Sequence, residues 1–337
     1  MQANNPHFML SVAYPQMRNY FGVISSFLYS FPYSILGVWS GVLSGKVSRK
    51  NMLGIACICW SATSIGVGMV PSFGFFVLMR LMLGAFESAC NPASYALIAD
   101  YFPPSYRSTA NAIETSGSYV GGGLCGISVL LIKKYGWRTM YNTIGTIGVV
   151  FGFLAMLLIK EPPRGVYDMQ AEIKGDDSIK ASDSKDGEKV SVFKELKESL
   201  SEVWTNPVVK WTTIGGMFRF FETFSHVYWM PSFIQQVYPA YKYQFGLYYA
   251  LIVAGGGFIA TIMGGLISDK YEKKNRMTKA LVCLVGGIIA IPALSTCVLT
   301  TTNFWLSMSA LAIKYLASEN WMSPAITMMQ ATVEPKK

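Results

Sequence analysis

A chain of 337 residues that is 52% hydrophobic and only 14% charged, with a mean hydropathy of +0.34, is not an ordinary soluble domain, since such domains carry charge on about a quarter of their residues. The net charge of +9 would suit a nucleic-acid binder, but the basic residues sit mainly in short turns between apolar runs, as in cytoplasmic loops, so no nucleic-acid partner is expected. The six cysteines, Cys57, Cys59, Cys90, Cys125, Cys283 and Cys297, lie in or beside apolar runs, with neither metal nor disulfide spacing.

The opening MQANNPHF carries no positive charge ahead of an apolar core, so no cleavable signal peptide is expected. Residues 8–17 are apolar but too short to cross a bilayer, which takes about 20 residues. The first full span is predicted at about 20–43. It holds Pro32 with several Ser and Gly, which membrane helices tolerate. It ends in GVLSGKVSRKN, where Lys46, Arg49 and Lys50 mark a cytoplasmic turn. Four more spans are predicted at 52–70, 75–101, 109–132 and 140–159. The stretch from Arg80 to Gly126 organises this block. It carries Arg80, Glu87 and Glu114 inside apolar segments. A charge there costs roughly 2.5–3.5 kcal/mol on insertion scales, so it should face a bundle interior or a wet cavity.

From Lys160 to about Lys210 the chain turns polar, with the run GDDSIKASDSKDGEK. This reads as a solvated linker. Its end places Phe193, Leu196, Leu200, Val203 and Trp204 on one helical face. Two readings stay open: a helix lying on the membrane surface, or an ordinary amphipathic linker helix. Spans then resume at 209–237, 245–267, 280–299 and 304–329. The expectation is an all-α, polytopic, integral membrane helix bundle of nine crossings. It divides into an N-terminal bundle (1–160), a cytoplasmic linker (161–205) and a C-terminal bundle (206–337). The turns Lys46–Lys50 and Lys270–Arg276 and the linker around Gly175 are expected on the cytoplasmic side. The turn Lys133–Arg138 is expected outside, because the helix count demands it.

The turn GGLISDKYEKKNR aligns with the earlier GVLSGKVSRKN. Gly265 falls on Gly41, Asp269 on Gly45, Lys270 on Lys46, Lys273 on Arg49 and Lys274 on Lys50. A Gly-led basic turn once in each half signals an internal repeat, the architecture of secondary transporters. These turns resemble the loop signature G-x-x-x-D-(K/R)-x-G-(R/K)-(R/K) of the major facilitator superfamily. RLMLGAFESACNPA and ADYFPPSYRSTANA resemble that family's fourth helix and following turn. GSYVGGGLCG resembles its Gly-rich fifth helix, and GWR the entry to the sixth. The run E-P-P-R-G at Glu161–Gly165, with a Glu in the fourth helix, most resembles the Spinster-like branch. The resemblance implies the major facilitator fold, with two pseudo-symmetric halves. In that register the chain supplies helices two to ten, without the first, eleventh and twelfth. Gly45 stands where the family has an Asp that latches the halves on the cytoplasmic side, so that side is expected to open more readily here. Gly41, Lys46, Arg49, Lys50, Gly265, Asp269, Lys270 and Lys273 are the expected gating-loop residues.

Candidate substrate or coupling residues are the intramembrane polar ones. At about 100° per residue, Arg80, Gly84, Glu87 and Asn91 share a face. The resemblance makes Arg80 the family's fourth-helix Arg. The alternative is an ion pair between Arg80 and Glu114 that only holds helices together. Asp100, near a helix end, reads as a loop latch or cap. Arg219, Glu222 and His226, spaced three and four apart, form a polar stripe on one face of the seventh helix. They read either as a coupling or anchoring site or as a self-satisfied pair with His226 near the interface. On the tenth helix Lys314 and Trp321 share a face, with Glu319 pointing elsewhere. Lys314 could bind an anion in a cavity or snorkel to the interface. Gly117 and Gly121 read as helix-packing positions.

No catalytic constellation, metal set or phosphate-cradling G-x-x-x-x-G-K-(S/T) run appears. No enzyme, no cofactor and no ATP-driven transport are therefore expected. The reading is a secondary carrier of a small or amphiphilic organic solute by alternating access, with protons as one candidate coupling ion. The resemblance to Spinster-like proteins implies a lysolipid or sphingoid substrate, and an organic anion is the other class. The alternative from another class is a transport-inactive scaffold, with membrane-protein partners beside the lipid bilayer.

Overall fold

The computed structural model describes residues 15–163 and 192–332. Thirteen α-helices are distinguished there: α1 (Pro15–Ser44), α2 (Arg49–Gly68), α3 (Phe73–Glu87), α4 (Cys90–Tyr101), α5 (Arg107–Tyr135), α6 (Trp137–Leu158), α7 (Val192–Thr205), α8 (Pro207–Val237), α9 (Lys242–Leu251), α10 (Gly257–Glu272), α11 (Thr278–Leu299), α12 (Phe304–Ser318) and α13 (Met322–Thr332). No strand occurs among the described residues. The polar part of the linker, including the segment around Gly175, lies outside them.

By length and composition, five spans among the described residues can cross a membrane: Arg49–Gly68, Phe73–Tyr101, Trp137–Leu158, Gln244–Glu272 and Thr278–Leu299. The start of α5 and the polar stripe of α8 lower the hydropathy of those helices, and α12 and α13 are each too short alone. Those helices hold Glu114, Arg219, Glu222, His226 and Lys314 among the candidate site residues. On α7, Phe193, Leu200 and Trp204 point outward, 67%, 47% and 61% exposed, while Leu196 and Val203 are half-buried.

The chain separates into two units. The first comprises Met1–Leu97 and Leu131–Glu161, and the second Ile98–Leu130 and Pro162–Lys337. In the first unit, α2 and α6 approach through small residues. A Cβ on Gly145 would lie 2.7 Å from the Ser61 carbonyl oxygen, and one on Gly152 would lie 2.6 Å from the Ile58 side chain. Such close approach is how membrane helices gain contact where no water is displaced. In the second unit, Met230, Ile234, Phe245, Phe304, Leu311 and Tyr315 anchor an apolar core between α8, α9 and α12.

Two expected spans are interrupted. The run 75–101 is two helices, α3 and α4, parted at Ser88–Ala89. The run 304–329 is also two, α12 and α13, parted at Glu319–Trp321. A proline follows each gap, Pro92 and Pro324. Proline has no N–H to offer the carbonyl four residues back, and its ring crowds that carbonyl. Within the span 245–267, Ile252–Gly256 adopt a π-helical turn that joins α9 to α10. Such turns are frequent at functional sites.

Candidate functional site

In the second unit, α8 presents its polar stripe to the break between α12 and α13. Arg219 Nη1 donates to Glu222 Oε2 at 3.3 Å. Arg219 Nη2 donates to the Ser318 carbonyl, the last of α12, at 2.6 Å. The guanidinium also lies 5.7 Å from the Trp321 ring centroid. Trp321 stands edge-on to Phe220, at 5.2 Å and 80°. An α-helix leaves its last four carbonyls unpaired, so a guanidinium at the end of α12 meets both a hydrogen-bonding need and the negative end of the helix dipole.

Lys314 is 1% exposed, so it does not snorkel to an interface. Its Nζ donates to Glu319 Oε1 at 2.8 Å. It also lies 3.2 Å from Glu222 Oε1, an oxygen that finds no aligned hydrogen bond. The expectation that Glu319 points away from Lys314 is overturned. That expectation assumes one continuous helix. The helix stops at Ser318, and the break turns Glu319 back onto Lys314. For the same reason Lys314 and Trp321 do not belong to one helical face: they lie on opposite sides of the gap and meet around Arg219.

Glu319 is the most heavily bonded side chain of the cluster. It accepts from Lys314, from Tyr119 of α5 at 2.7 Å and from Ser318 Oγ at 3.3 Å. Its backbone carbonyl accepts from Thr261 Oγ1 at 3.0 Å. Glycines hold the gap closed from two sides: a Cβ on Gly264 would come 2.5 Å from the Asn320 carbonyl oxygen, and one on Gly286 would strike the Ala317 carbonyl. His226 is buried, not interfacial. Its ring stands 5.7 Å from that of Tyr315, and its Nε2 has no hydrogen-bond partner among the described residues. Sequence reasoning misses Glu319 and Tyr119 as site residues. A signal for Glu319 exists, since Glu-x-x-x-x-Pro occurs in both interrupted helices (Glu87 to Pro92, Glu319 to Pro324). Nothing in the sequence singles out Tyr119.

In the first unit, Arg80 Nη2 donates to Tyr141 of α6 at 3.3 Å, and the guanidinium lies 5.2 Å from the Phe76 ring centroid. Glu87 meets the Tyr29 hydroxyl. Asn91 Nδ2 donates to Tyr33 at 3.0 Å. Asn91 lies beyond the break, so the face shared with Arg80 is not that of one helix. Gly84 seats α3 against α1, at the Tyr29 carbonyl. Glu114 belongs to the second unit and accepts from Thr115 Oγ1 at 3.4 Å.

The aligned basic turns differ in what they hold. Asp269 caps α5: Oδ1 accepts from Ser108 N at 3.2 Å, and Oδ2 accepts from Thr109 N at 2.7 Å and Thr109 Oγ1 at 2.6 Å. Gly265, one turn before it, is forced, because a Cβ there would lie 2.6 Å from Ala112 Cβ. A Cβ on its counterpart Gly41 meets no described atom within 4 Å. At the other turn, Arg49 donates to the carbonyls of Ser44 and Ala96 at 3.3 and 3.2 Å. Lys270 lies over the Tyr271 ring at 5.6 Å. A Cβ on Gly117 or Gly121 meets no described atom within 4 Å. Close glycine contacts occur at Gly145, Gly152, Gly264 and Gly265, among others.

The family model described as "Major Facilitator Superfamily" matches residues 6–336. Among curated relatives, the hexuronate transporter of Bacillus subtilis is 25% identical over 307 residues, 87% of this chain and 67% of that protein. The chloroplastic ascorbate transporter of Arabidopsis thaliana is 28% identical over 250 residues, 73% of this chain and 44% of that protein. The chain thus spans about two thirds of one relative and less than half of the other. Among solved structures, a bacterial homolog of the human lysosomal transporter Spinster, inward-facing and unoccupied, aligns with a TM-score of 0.56 at 21% identity. That alignment covers 92% of this chain and 67% of the other, and it bears on the fold alone.

Proposed function

Because the chain belongs to the Major Facilitator Superfamily, and is a multi-pass integral membrane protein, we propose that it is a secondary carrier of a small organic anion, working by alternating access. The observation that carries this reading is the pair Arg219 and Lys314, two cations fixed at the break between α12 and α13 inside an apolar bundle. A charge at membrane depth marks a substrate or ion pathway by default. Interrupted helices are where such carriers place their sites. The relatives named for hexuronate and ascorbate, both acidic solutes, support an anion over a lysolipid. Glu87, which forms no ion pair among the described residues, is the candidate for proton exchange in the first unit.

The test is uptake of radiolabelled glucuronate into proteoliposomes holding the purified full chain, with and without an inward proton gradient. Gradient-stimulated uptake that is lost in Arg219→Gln is the expected result. Proteoliposomes that take up neither glucuronate nor ascorbate, with folded protein, would sink it and leave the scaffold reading.

A further inference from the structure

The first unit holds a groove that the carrier reading does not use. Its volume is about 390 Å³, and it runs between α1, α2 and the end of α3. That size falls within the roughly 300–1,000 Å³ of ligand clefts. Its walls are apolar, with Leu43 and Val47 on one side, Met52 and Ile55 on another and Phe86 on the third. Leu43, Val47 and Ile55 are 44%, 37% and 53% exposed, so the groove is open along its length and not sealed inside the unit. Exposed apolar side chains are ordinary on a membrane helix. A concave strip of them that ends at a basic turn is not.

The groove begins at Ser48 and Asn51, where α2 enters its membrane span. Its lining on α2 runs from there to Ala56, a length of roughly 12 Å at the helical rise. One leaflet of hydrocarbon is about 15 Å deep, half of the bilayer core. The groove thus has the length for one acyl chain entering from the headgroup boundary. Its mouth is charged to match. Lys46, Arg49 and Lys50 flank Val47, Ser48 and Asn51 in the chain. Arg49 is turned inward onto the carbonyls of Ser44 and Ala96. Glu161 takes the first amides of α2, Arg49 N and Lys50 N, with the Ser48 hydroxyl. The helix N-terminus is therefore filled, and Lys46 and Lys50 are the side chains placed to meet an anionic headgroup. Three cations against one carboxylate leave the turn net positive. The Lys/Arg bias puts such a turn on the cytoplasmic side, whose leaflet carries the anionic lipids.

We propose that this groove binds one anionic phospholipid of the cytoplasmic leaflet, with an acyl chain between α1 and α2 and the phosphate at Lys46 and Lys50. The site is separate from the cations at the break between α12 and α13 and does not depend on the carrier reading. Ser40, which also lines the groove, donates to the Ser88 carbonyl at 2.9 Å. The bound chain therefore lies against the break between α3 and α4.

The test uses the full chain in nanodiscs of equal phosphatidylglycerol and phosphatidylcholine. Native mass spectrometry should show one phosphatidylglycerol retained per chain. Lys46→Gln with Lys50→Gln should cut the preference over phosphatidylcholine by roughly twentyfold, about fivefold per lysine. Ile55→Trp adds bulk at an exposed position and should lose the retained lipid whatever its headgroup. Phosphatidylglycerol with a diazirine on its acyl chain should cross-link to residues 43–56 and 85–89. It should also slow amide exchange at residues 88–93 in the wild type and not in Ile55→Trp. Equal retention of both lipids by the wild type overturns the headgroup site. Phosphatidylglycerol retained unchanged in both variants, or cross-links centred on the exposed Phe151, Leu157 and Leu158 of α6, would make it ordinary shell lipid and overturn the proposal. Amide exchange that ignores the lipid in the wild type overturns its seat against the break. A pair of chains that Ile55→Trp splits would give the groove to a second copy and overturn the lipid.

Discussion

Glu87 stands five residues before Pro92, and Glu319 five residues before Pro324. At each place the helix ends at or just before the glutamate and restarts three residues after it. The backbone needs are met from neighbours in both cases. Ser40 of α1 donates to the Ser88 carbonyl at 2.9 Å, and Thr261 of α10 donates to the Glu319 carbonyl at 3.0 Å. The carboxylates differ. Glu319 is tied to a buried lysine, a phenol and a serine. Glu87 meets a phenol and has no cation among the described residues. The same backbone device thus carries an ion-paired acid in one unit and, in the other, an acid with no cation beside it among the described residues. The proline and the borrowed hydroxyl accompany the break in both, and the nearby cation is what differs.

The sharpest way to break this comparison is to neutralise each glutamate in turn. Glu319→Gln leaves Lys314 with the Glu222 carboxylate at 3.2 Å as its one anionic neighbour among the described residues, so the loss should reach at most the roughly 3–5 kcal/mol of breaking a buried pair. Glu87→Gln removes no counter-ion and should cost no more than a typical neutral hydrogen bond, under about 1 kcal/mol. Thermal unfolding of the purified protein in detergent measures both. Equal losses would mean that Glu87 is held in place no less firmly than Glu319. A Lys314→Met/Glu319→Met double variant should recover most of the loss, because two well-packed apolar side chains replace a buried pair at little cost.

The carbonyl partners come next in size. Ser40→Ala and Thr261→Val each leave a buried carbonyl without its donor, a loss of about 1–3 kcal/mol. Amide exchange should rise at residues 88–93 in the first variant and 319–325 in the second. Unchanged exchange would show that the proline, not the borrowed hydroxyl, governs the gap. Smaller again is Asp269→Asn, which weakens the cap on α5. Side-chain caps are worth roughly 0.5–2 kcal/mol, and here the amides of Ser108 and Thr109 should lose protection.

Much of this is legible in the residues. Apolar runs of about 20 residues locate the five described spans long and apolar enough to cross a membrane, because they depend on local composition. The three–four spacing of Arg219, Glu222 and His226 places them on one turn-to-turn line, and Arg219 and Glu222 do pair. Reasoning at 100° per residue fails where it crosses a break. It sets Asn91 with Arg80, and Glu319 away from Lys314, on helices that do not run through. The Tyr119 contact is not legible at all, because 200 residues separate Tyr119 from Glu319. The glycines mislead for a related reason. Spacing marks Gly117 and Gly121 as packing positions, but only the partner helix decides which glycines are filled, and Gly145 and Gly152 are among those that are.

The remaining cap sharpens the comparison between units at its smallest scale. Where Asp269 of the second unit caps α5, Gly45 leaves its aligned position in the first unit without a carboxylate. Glu161, just past α6, caps α2 instead. Its oxygens accept from Arg49 N and Lys50 N, both at 2.9 Å, and from the Ser48 hydroxyl at 2.8 Å. Slight burial would raise the Glu161 pKa. The Lys50 N–H, the Ser48 hydroxyl and the Arg49 N–H and charge outweigh it and hold the carboxyl below its usual range. A depressed native pKa means that the unfolded chain binds the proton more readily. The stabilisation is therefore fully present above the ordinary glutamate pKa and is lost as pH falls through the lower native value. Glu161→Gln should cost about 0.5–1 kcal/mol at neutral pH, at the low end for a cap because the site is exposed and screened. On acidification through the carboxylate range the wild type should lose that margin and converge on the variant. Unfolding midpoints of both proteins, taken in detergent across that range, test it. Parallel curves would show that Glu161 adds no titrating cap, and that α2 is held by Ser48 alone, through its bond from Asn51 N at 3.3 Å.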